Sequence, residues 1–592
     1  MNKKKNHSWE PMRDQIMTRW ANEIDFEKPL PEYPRPHLRR EEWVNLNGLW
    51  DYAICPKEEI FVESFEGKIL VPFPLESALS GVKKPLKPEQ KLWYHRKFFV
   101  PESWKGKKIL LHFGAVDWEA KIWINNKFIG FHKGGYTPFY FEISNFIQKS
   151  SENDLIVSVW DPTDKGHQEL GKQSLNPKFI LYTAVSGIWQ TVWFEPVSKT
   201  YIKNLKMIPN IDNKTIKLQV DISNAKSNDL IDAYILEKDG KIIANQKTTT
   251  HEILFEVESP KLWSPKSPYL YDIIVEIKRK DILVDKIKSY FGMRKISLSK
   301  NLKGVRRIEL NNQPLFQYGT LDQGYWPDGL YTAPTDNALK FDINLTKELG
   351  FNLIRKHVKI EPARWYYHCD KIGILVWQDM PNGEPWSIIK HIKMKLTSKK
   401  RYKGKRKDTV KQDFYNELES MINLIYNSPS VVVWTPFNEG WGQFDTEMVV
   451  KRIKELDSSR LINNASGWFD KGVGDIRDIH NYPNPKMPKK IQGRATVLGE
   501  FGGLGLEIKG HTWNFKRKFV YRKVQDQQDF LNRYNRLLLK LKRLIEKGLS
   551  AAVYTQITDI EHEINGLLTY DREILKMDKN RLYELNLSLY DN

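Results

Sequence analysis

The chain has 592 residues, 40% apolar and 28% charged, with a formal net charge of +20. At roughly 100–200 residues per domain that length predicts two to four domains, the apolar content excludes a disordered chain, and no run approaches the ~18 apolar residues of a membrane span. Two distant cysteines, Cys55 and Cys369, imply neither a disulfide framework nor a zinc site, and the positive charge favours anionic partners or a solvated Lys-rich surface.

The opening MNKKKNHSWEPMRDQIMTRW is basic with no apolar stretch behind it. It does not read as a secretory signal, and a cytoplasmic location is expected. Residues 1–36, Pro-rich with scattered aromatics, read as an extended strap. From 37 to 198 short β-runs (KKILLHFGAV, AKIWINNKFIGF, DLIVSVW, QTVWFEPV) are broken by Gly, Pro and Asn. INNKFIG predicts a hairpin through Asn125-Asn126-Lys127, and many short strands with frequent turns argue for a jelly roll. Residues 199–297 stay β, with Asp239-Gly240 as a turn, and suit an Ig-like sandwich.

From 298 to 592 short apolar strands alternate with amphipathic helices. FQYGTL, FNLIRKHV, ILVWQDM, VVVWTPFNE, RLINNAS, IRDIHNYP, TVLGEF and AAVYTQI are candidate strands. Helical patterns such as ALKFDINLTKELG and EMVVKRIKELD lie between them. This alternation predicts a C-terminal (β/α)8 TIM barrel. An open doubly wound sheet is disfavoured because no Gly-rich phosphate loop follows a strand. The expected fold class is therefore multidomain β plus α/β.

Catalytic groups of such barrels sit at the C-terminal ends of strands. Here the strands close on Arg355 and His357, Gln378 and Asp379, Asn438 and Glu439, His480, Asn481 and Tyr482, Glu500, and Thr555 and Gln556. Buried unpaired, such ends would be costly; around an open mouth they make chemical sense. Glu439, before Gly-Trp-Gly, and Glu500, before Phe-Gly-Gly, stand out as a carboxylate pair. Glycoside cleavage needs one carboxyl to protonate the leaving oxygen and a second to attack the anomeric carbon or activate water. Metal binding by the same pair is disfavoured by the absence of HExxH and of a well-spaced His–carboxylate cluster, so no metal site is expected.

At this point the chain resembles glycoside hydrolase family 2, the β-galactosidase and β-glucuronidase family. The matching text is YPRPHLRREEWVNLNGLWDYAI, YHRKFFVP, LHFGAVDWEAKIWINNKFIGFHKGGYTPFYFEI, SGIWQTVWFEPV, IRKHVKIEPARWYYHCDKIGILVWQDMP, VWTPFNEGWG and LGEFGG. The resemblance implies a retaining exo-β-glycosidase, most like a β-galactosidase, with Glu439 as acid/base and Glu500 as nucleophile. It implies Asn438 on the sugar 2-OH, Arg355 and His357 supporting the nucleophile and glycone hydroxyls, and Tyr482 near the nucleophile. Asp379 and His480 are further substrate-binding candidates, and Trp441 and Trp513 are candidate stacking walls. No cofactor is required by the resemblance; a bound magnesium or calcium ion is compatible with it but not implied.

Two departures bear on the sugar. β-Glucuronidases of the family carry an Asn-x-Lys past strand eight that reads the uronate carboxylate, whereas this chain has DIEHEINGLLTYDRE there. Its own Asn-x-Lys, Asn514–Lys516, falls after strand seven. The long β-galactosidases carry C-terminal domains and a magnesium site built partly around strand three, whereas here strand three ends WQDMP and the sequence runs little past the barrel. Alternatives are β-glucuronidase, β-mannosidase or arabinosidase specificity, or a non-catalytic polyanion or carbohydrate binder. Residues 390–411 hold eleven Lys/Arg and one acid, and a second basic run spans 516–523. Both are expected on the catalytic face, as solvated loops or as attractors of an anionic glycan. The expected partner is a glycoside or oligosaccharide, with no nucleic acid and no membrane; a homo-oligomer is common for such proteins.

Overall fold

A computed structural model describes residues 9–148, 150–300, 304–381, 383, 406–514 and 517–590. The basic stretch 390–405 and Lys516 lie outside the described residues. No helix among the described residues is long and apolar enough to cross a membrane.

The N-terminal region forms the two sheets expected of a jelly roll, one of six strands and one of four. Its strands alternate inward apolar residues, as in Glu119–Ile124, where Ala120, Ile122 and Ile124 are buried. The predicted hairpin is present: Asn125 and Asn126 have φ of 49° and 62°, the left-handed pair that joins Glu119–Ile124 to Lys127–Lys133. Next, sheets of three and four strands enclose a separate apolar core that includes Ile216, Leu218, Ile273 and Val275.

The barrel strands are Gln317–Asp322, Leu353–Lys356, Leu375–Asp379, Val431–Thr435, Leu461–Ile462, Ile476–Asn481, Ala495–Gly502 and Leu549–Thr555, first to eighth. All neighbouring pairs are parallel, running 5-4-3-2-1-8-7-6. The remaining seam, between strands five and six, is closed by side chains and loop backbone. Asp475 N donates to Ile462 O at 2.8 Å, and Asn463 Nδ2 donates to Asp478 Oδ2 at 2.8 Å. The fifth strand is shorter than RLINNAS predicts: its ladder to strand four ends with Asn463 N donating to Trp434 O at 2.9 Å, and the side chains of Asn463 and Asn464 bond Asp478 and Asp470.

The helices follow the expected periodic segments: α1 (Asp336–Glu348), α2 (Ala363–Ile372), α3 (Asp408–Ile425), α4 (Thr446–Leu456), α5 (Gln527–Glu546) and α6 (Lys579–Leu587). Thr335 caps α1 and Asp526 caps α5, each accepting from a backbone N–H three residues on. The boundary drawn at 297/298 falls inside strand Ile296–Lys300. That strand pairs with Arg306–Leu310 in a hairpin whose Ile308 and Leu310 plug the barrel floor with Leu353, Trp377, Val433 and Val497.

The strap crosses between domains. Trp9 Nε1 donates to Ser80 O of the jelly roll at 2.9 Å, and Thr18 Oγ1 donates to Asp328 Oδ2 above the barrel at 2.6 Å. Trp20 is buried in the aromatic core shared by the jelly roll and barrel.

Candidate active site

The barrel's other end collects the polar strand termini around Arg355. This guanidinium, fully buried on strand two, donates to Asp379 Oδ2 (2.8 Å), Asn438 Oδ1 (2.9 Å), Gly499 O (3.1 Å) and Glu500 Oε1 (3.1 Å). It ties strands three, four and seven to strand two. His357 Nδ1 lies 2.8 Å from Asp379 Oδ2. As the proton must be on the nitrogen facing the carboxylate, Nε2 is left to face the mouth. Burial holds the His357 imidazole well below its ordinary range, so it is neutral.

Asp379 has no exposed surface, and both its oxygens are engaged. Those bonds orient Arg355 and His357. Arg355 is likewise a positioning residue. By occupying Asn438 Oδ1 it fixes that amide with its NH2 toward the mouth.

Glu500 is nearly buried on strand seven. Its Oε2 accepts from Tyr482 Oη, and Tyr482 Oη lies 2.8 Å from Thr555 Oγ1 on strand eight. Burial would raise the carboxyl, but the charges of His480 and Arg355 overcome it and hold Glu500 down to about 2. Gly499 is required beside it: a Cβ there would lie 2.2 Å from Asp478 Oδ2, while its N–H donates to Asp478 Oδ1 at 2.6 Å.

Glu439 follows strand four with φ of +51°, a left-handed conformation costly for a side-chain-bearing residue. Its N–H donates to Ser466 O at 2.9 Å, which pins the turn. His480 on strand six stands between the carboxylates: Nδ1 is 2.8 Å from Glu439 Oε1 and 3.5 Å from Glu500 Oε2. Its Nε2 is 2.8 Å from Ser466 Oγ, whose hydroxyl is itself committed to Asp478 Oδ2 at 2.6 Å. Nδ1 thus carries a proton toward the Glu439 carboxylate, while Nε2 stands between the Ser466 hydroxyl and Arg355 Nη1 at 3.4 Å. The titration of His480 is raised: burial works against the charge, and Glu500 and Glu439 outweigh it.

Donor atoms of Glu439, His480 and Glu500 all lie within 4.8 Å of one another. The sequence reading that no well-spaced His–carboxylate cluster exists is corrected; separations of 41 and 20 residues hid it. The set nevertheless does not suit a cation. Arg355 and Tyr482 already occupy the Glu500 oxygens, and His480 Nδ1 is committed to Glu439.

Trp441 is buried, and its indole N–H has no partner among the described residues. Trp513 is half-buried and sits edge-on to Tyr570, 5.5 Å between centroids. Sequence reading missed three participants. Tyr521 stacks on Tyr482 at 3.7 Å and 4°, which brings the basic run 517–523 against the site. Trp468 tilts over His480 at 6.1 Å. Lys172 reaches the barrel from the jelly-roll domain. Only an aromatic residue in a Gly- or Pro-marked loop signalled Tyr521 and Trp468; nothing local signalled Lys172.

Family models match all three domains: the glycosyl hydrolases family 2 sugar binding domain at 71–193, the family 2 domain at 200–294, and the family 2 TIM barrel domain at 332–573. A beta-galactosidase of Thermoanaerobacter pseudethanolicus is 26% identical over 437 residues, covering 72% of this chain and 54% of that protein. A putative beta-glucuronidase of Formosa agariphila is 26% identical over 356 residues, covering 59% and 39%. The chain thus spans about half the length, or less, of these relatives. Among solved structures, the beta-D-glucuronidase of Dictyoglomus thermophilum superposes with a TM-score of 0.74 at 18% identity, covering 95% of this chain and 99% of that one. The Ruminococcus gnavus β-glucuronidase in complex with D-glucaro-d-lactam gives 0.73 at 17%, covering 95% and 100%. At such identities the likeness is one of fold.

Proposed function

Because the chain belongs to glycoside hydrolase family 2, we propose that it is a retaining exo-β-glycosidase, with Glu500 as nucleophile and Glu439 as acid/base. The observation that carries this reading is the approach of the two carboxylates to within 4.8 Å. Retaining enzymes hold their pair about 5–5.5 Å apart, whereas inverting enzymes need about 6.5–9.5 Å to seat a water.

In the first step the Glu439–His480 pair supplies the proton to the glycosidic oxygen as the C–O bond breaks, and Glu500, ionised at working pH, forms the bond to the anomeric carbon. Asn438 donates to the 2-OH, a contact that strengthens as charge develops on the ring. In the second step Glu439, now the base, takes a proton from water, which displaces Glu500 with net retention.

Relatives carry the names beta-galactosidase and putative beta-glucuronidase, so galactoside-type and uronate glycones both belong among the substrates tried. The test is a panel of aryl β-glycosides together with their 2-fluoro analogues. Intact mass should show one glycosyl adduct, mapped to Glu500, and NMR should show the β-anomer as first product. No adduct and no hydrolysis across the panel would overturn the reading and leave a carbohydrate binder.

A further inference from the structure

Lys172 belongs to the jelly-roll domain yet lies at the barrel mouth. Its neighbours hold it there. Gly171 presses on the end of barrel strand two so closely that a Cβ would sit 2.9 Å from Val358 O. Gln173 Nε2 donates to Asp117 Oδ2 at 2.8 Å and to Tyr136 Oη at 3.0 Å, while Gln173 Oε1 accepts from Val185 N at 2.7 Å. Lys172 O accepts from Tyr182 N at 2.9 Å. The segment is therefore fixed on both sides of the lysine.

The side chain is only 7% exposed. Its ammonium lies 5.8 Å from the Tyr182 ring centroid, and no carboxylate is within ion-pairing distance of it among the described residues. Gly171 abuts Val358, the residue after His357, and Tyr182 Oη donates to Glu563 past strand eight while accepting from Gln323 Nε2 at 2.7 Å, so the lysine stands on the wall between the ends of strands two and eight. Every other cation of this wall is paired: Arg355 with Asp379 and Glu500, Lys356 with Asp322 and Glu361, and Lys359 with Glu361. A nearly buried ammonium without a counter-ion is costly, and such groups are normally paired.

The cations past strand eight are already paired, Arg572 with Asp342 and Lys576 with Asp559. There Glu563 accepts from Tyr182 Oη and from Asn565 Nδ2 (2.9 Å), and Gln556 Nε2 donates to Asn565 Oδ1 (2.8 Å), so that wall is acidic and amide-lined with its bonds made internally. The exposed Arg522 and Lys523, on the loop that carries Tyr521, add a positive rim.

We propose that Lys172 is the counter-ion for an anionic substituent, a carboxylate or a sulfate, on the sugar held in the glycone position. The jelly-roll domain then takes part in choosing the substrate. This inference rests on the glycosidase reading above, and the two fail separately.

The test measures kcat/KM for the nitrophenyl β-D-glucuronide, the β-D-galactoside 6-sulfate and the unmodified β-D-galactoside. The native chain should favour one anionic substrate over the neutral one, and which of the two it favours distinguishes carboxylate from sulfate. In Lys172→Met that ratio should fall at least about 30-fold, the worth of a charge-assisted hydrogen bond, mostly through KM. Lys172→Arg should keep the ratio within about 5-fold by the same reckoning. Because the readout is a ratio within each variant, partial loss of folded protein cancels. An unchanged ratio in Lys172→Met would overturn the proposal. So would a shift in the acidic limb of the pH profile equal for all substrates, since Lys172 would then serve only Glu500. If the 2-fluoro analogues label Glu500 but the ratio does not respond, the inference alone is lost; if nothing labels or turns over, the glycosidase reading goes with it.

Discussion

The two ends of the barrel are built on opposite principles. The floor is apolar: Ile308 and Leu310 of the hairpin close over Leu353, Val433 and Val497, and burial of such side chains stabilises by about 1.5–3 kcal/mol each. The mouth is a lattice of charges, in which Arg355, Asp379, His480, Glu439 and Glu500 are held by hydrogen bonds of 2.8–3.1 Å. Buried ion pairs contribute little net stability, because desolvation offsets their attraction. The floor therefore supplies fold, and the mouth uses that stability to keep charges where water would otherwise loosen them.

Substitutions at the two ends should separate these contributions. The largest effect is expected at Glu500→Gln, with turnover reduced on the order of 10⁴-fold or more and thermal stability nearly unchanged or raised. A fall in Tm comparable to a core mutation would break the contrast. Arg355→Met should lower kcat/KM about 10²–10³-fold, as loss of one preorganised electrostatic partner does. It should also move the acidic limb upward. The guanidinium helps hold the Glu500 carboxyl near 2; without it the carboxyl takes its proton at higher pH, and the nucleophile is lost earlier as pH falls. A pH–rate profile with an unmoved limb would show that Arg355 does not set that ionisation. At the floor, Ile308→Ala should cost about 2–5 kcal/mol in urea unfolding while kcat of the folded protein stays within about 2-fold. A matching loss of kcat would mean that the floor transmits its packing to the mouth.

Much of this was legible in the sequence, for local reasons. Asn125-Asn126 named its hairpin because two left-handed residues favour Asn. Strand ends named the mouth because apolar runs closing on Arg, Asp, Asn and Glu have few other uses in a barrel. The 296–310 hairpin that closes the floor was not legible as such, because its alternation resembles that of the preceding sandwich. The His480 bridge and Lys172 were not legible: each depends on segments that only the closed fold brings together. Asp379 and Glu439 share a strand-end position in the sequence, which does not tell that the first is fully buried and the second is not.

The strap adds a constraint of time. Thr18 bonds Asp328, 310 residues further along the chain. At about 5–20 residues per second of synthesis, that partner emerges roughly 15–60 s later. Trp9 can settle on Ser80 early, while Trp20, whose aromatic neighbours include Trp326, must wait. The strap, made before either domain it joins, is thus among the last of these segments to finish docking, and its attachment marks the point at which jelly roll and barrel have both arrived.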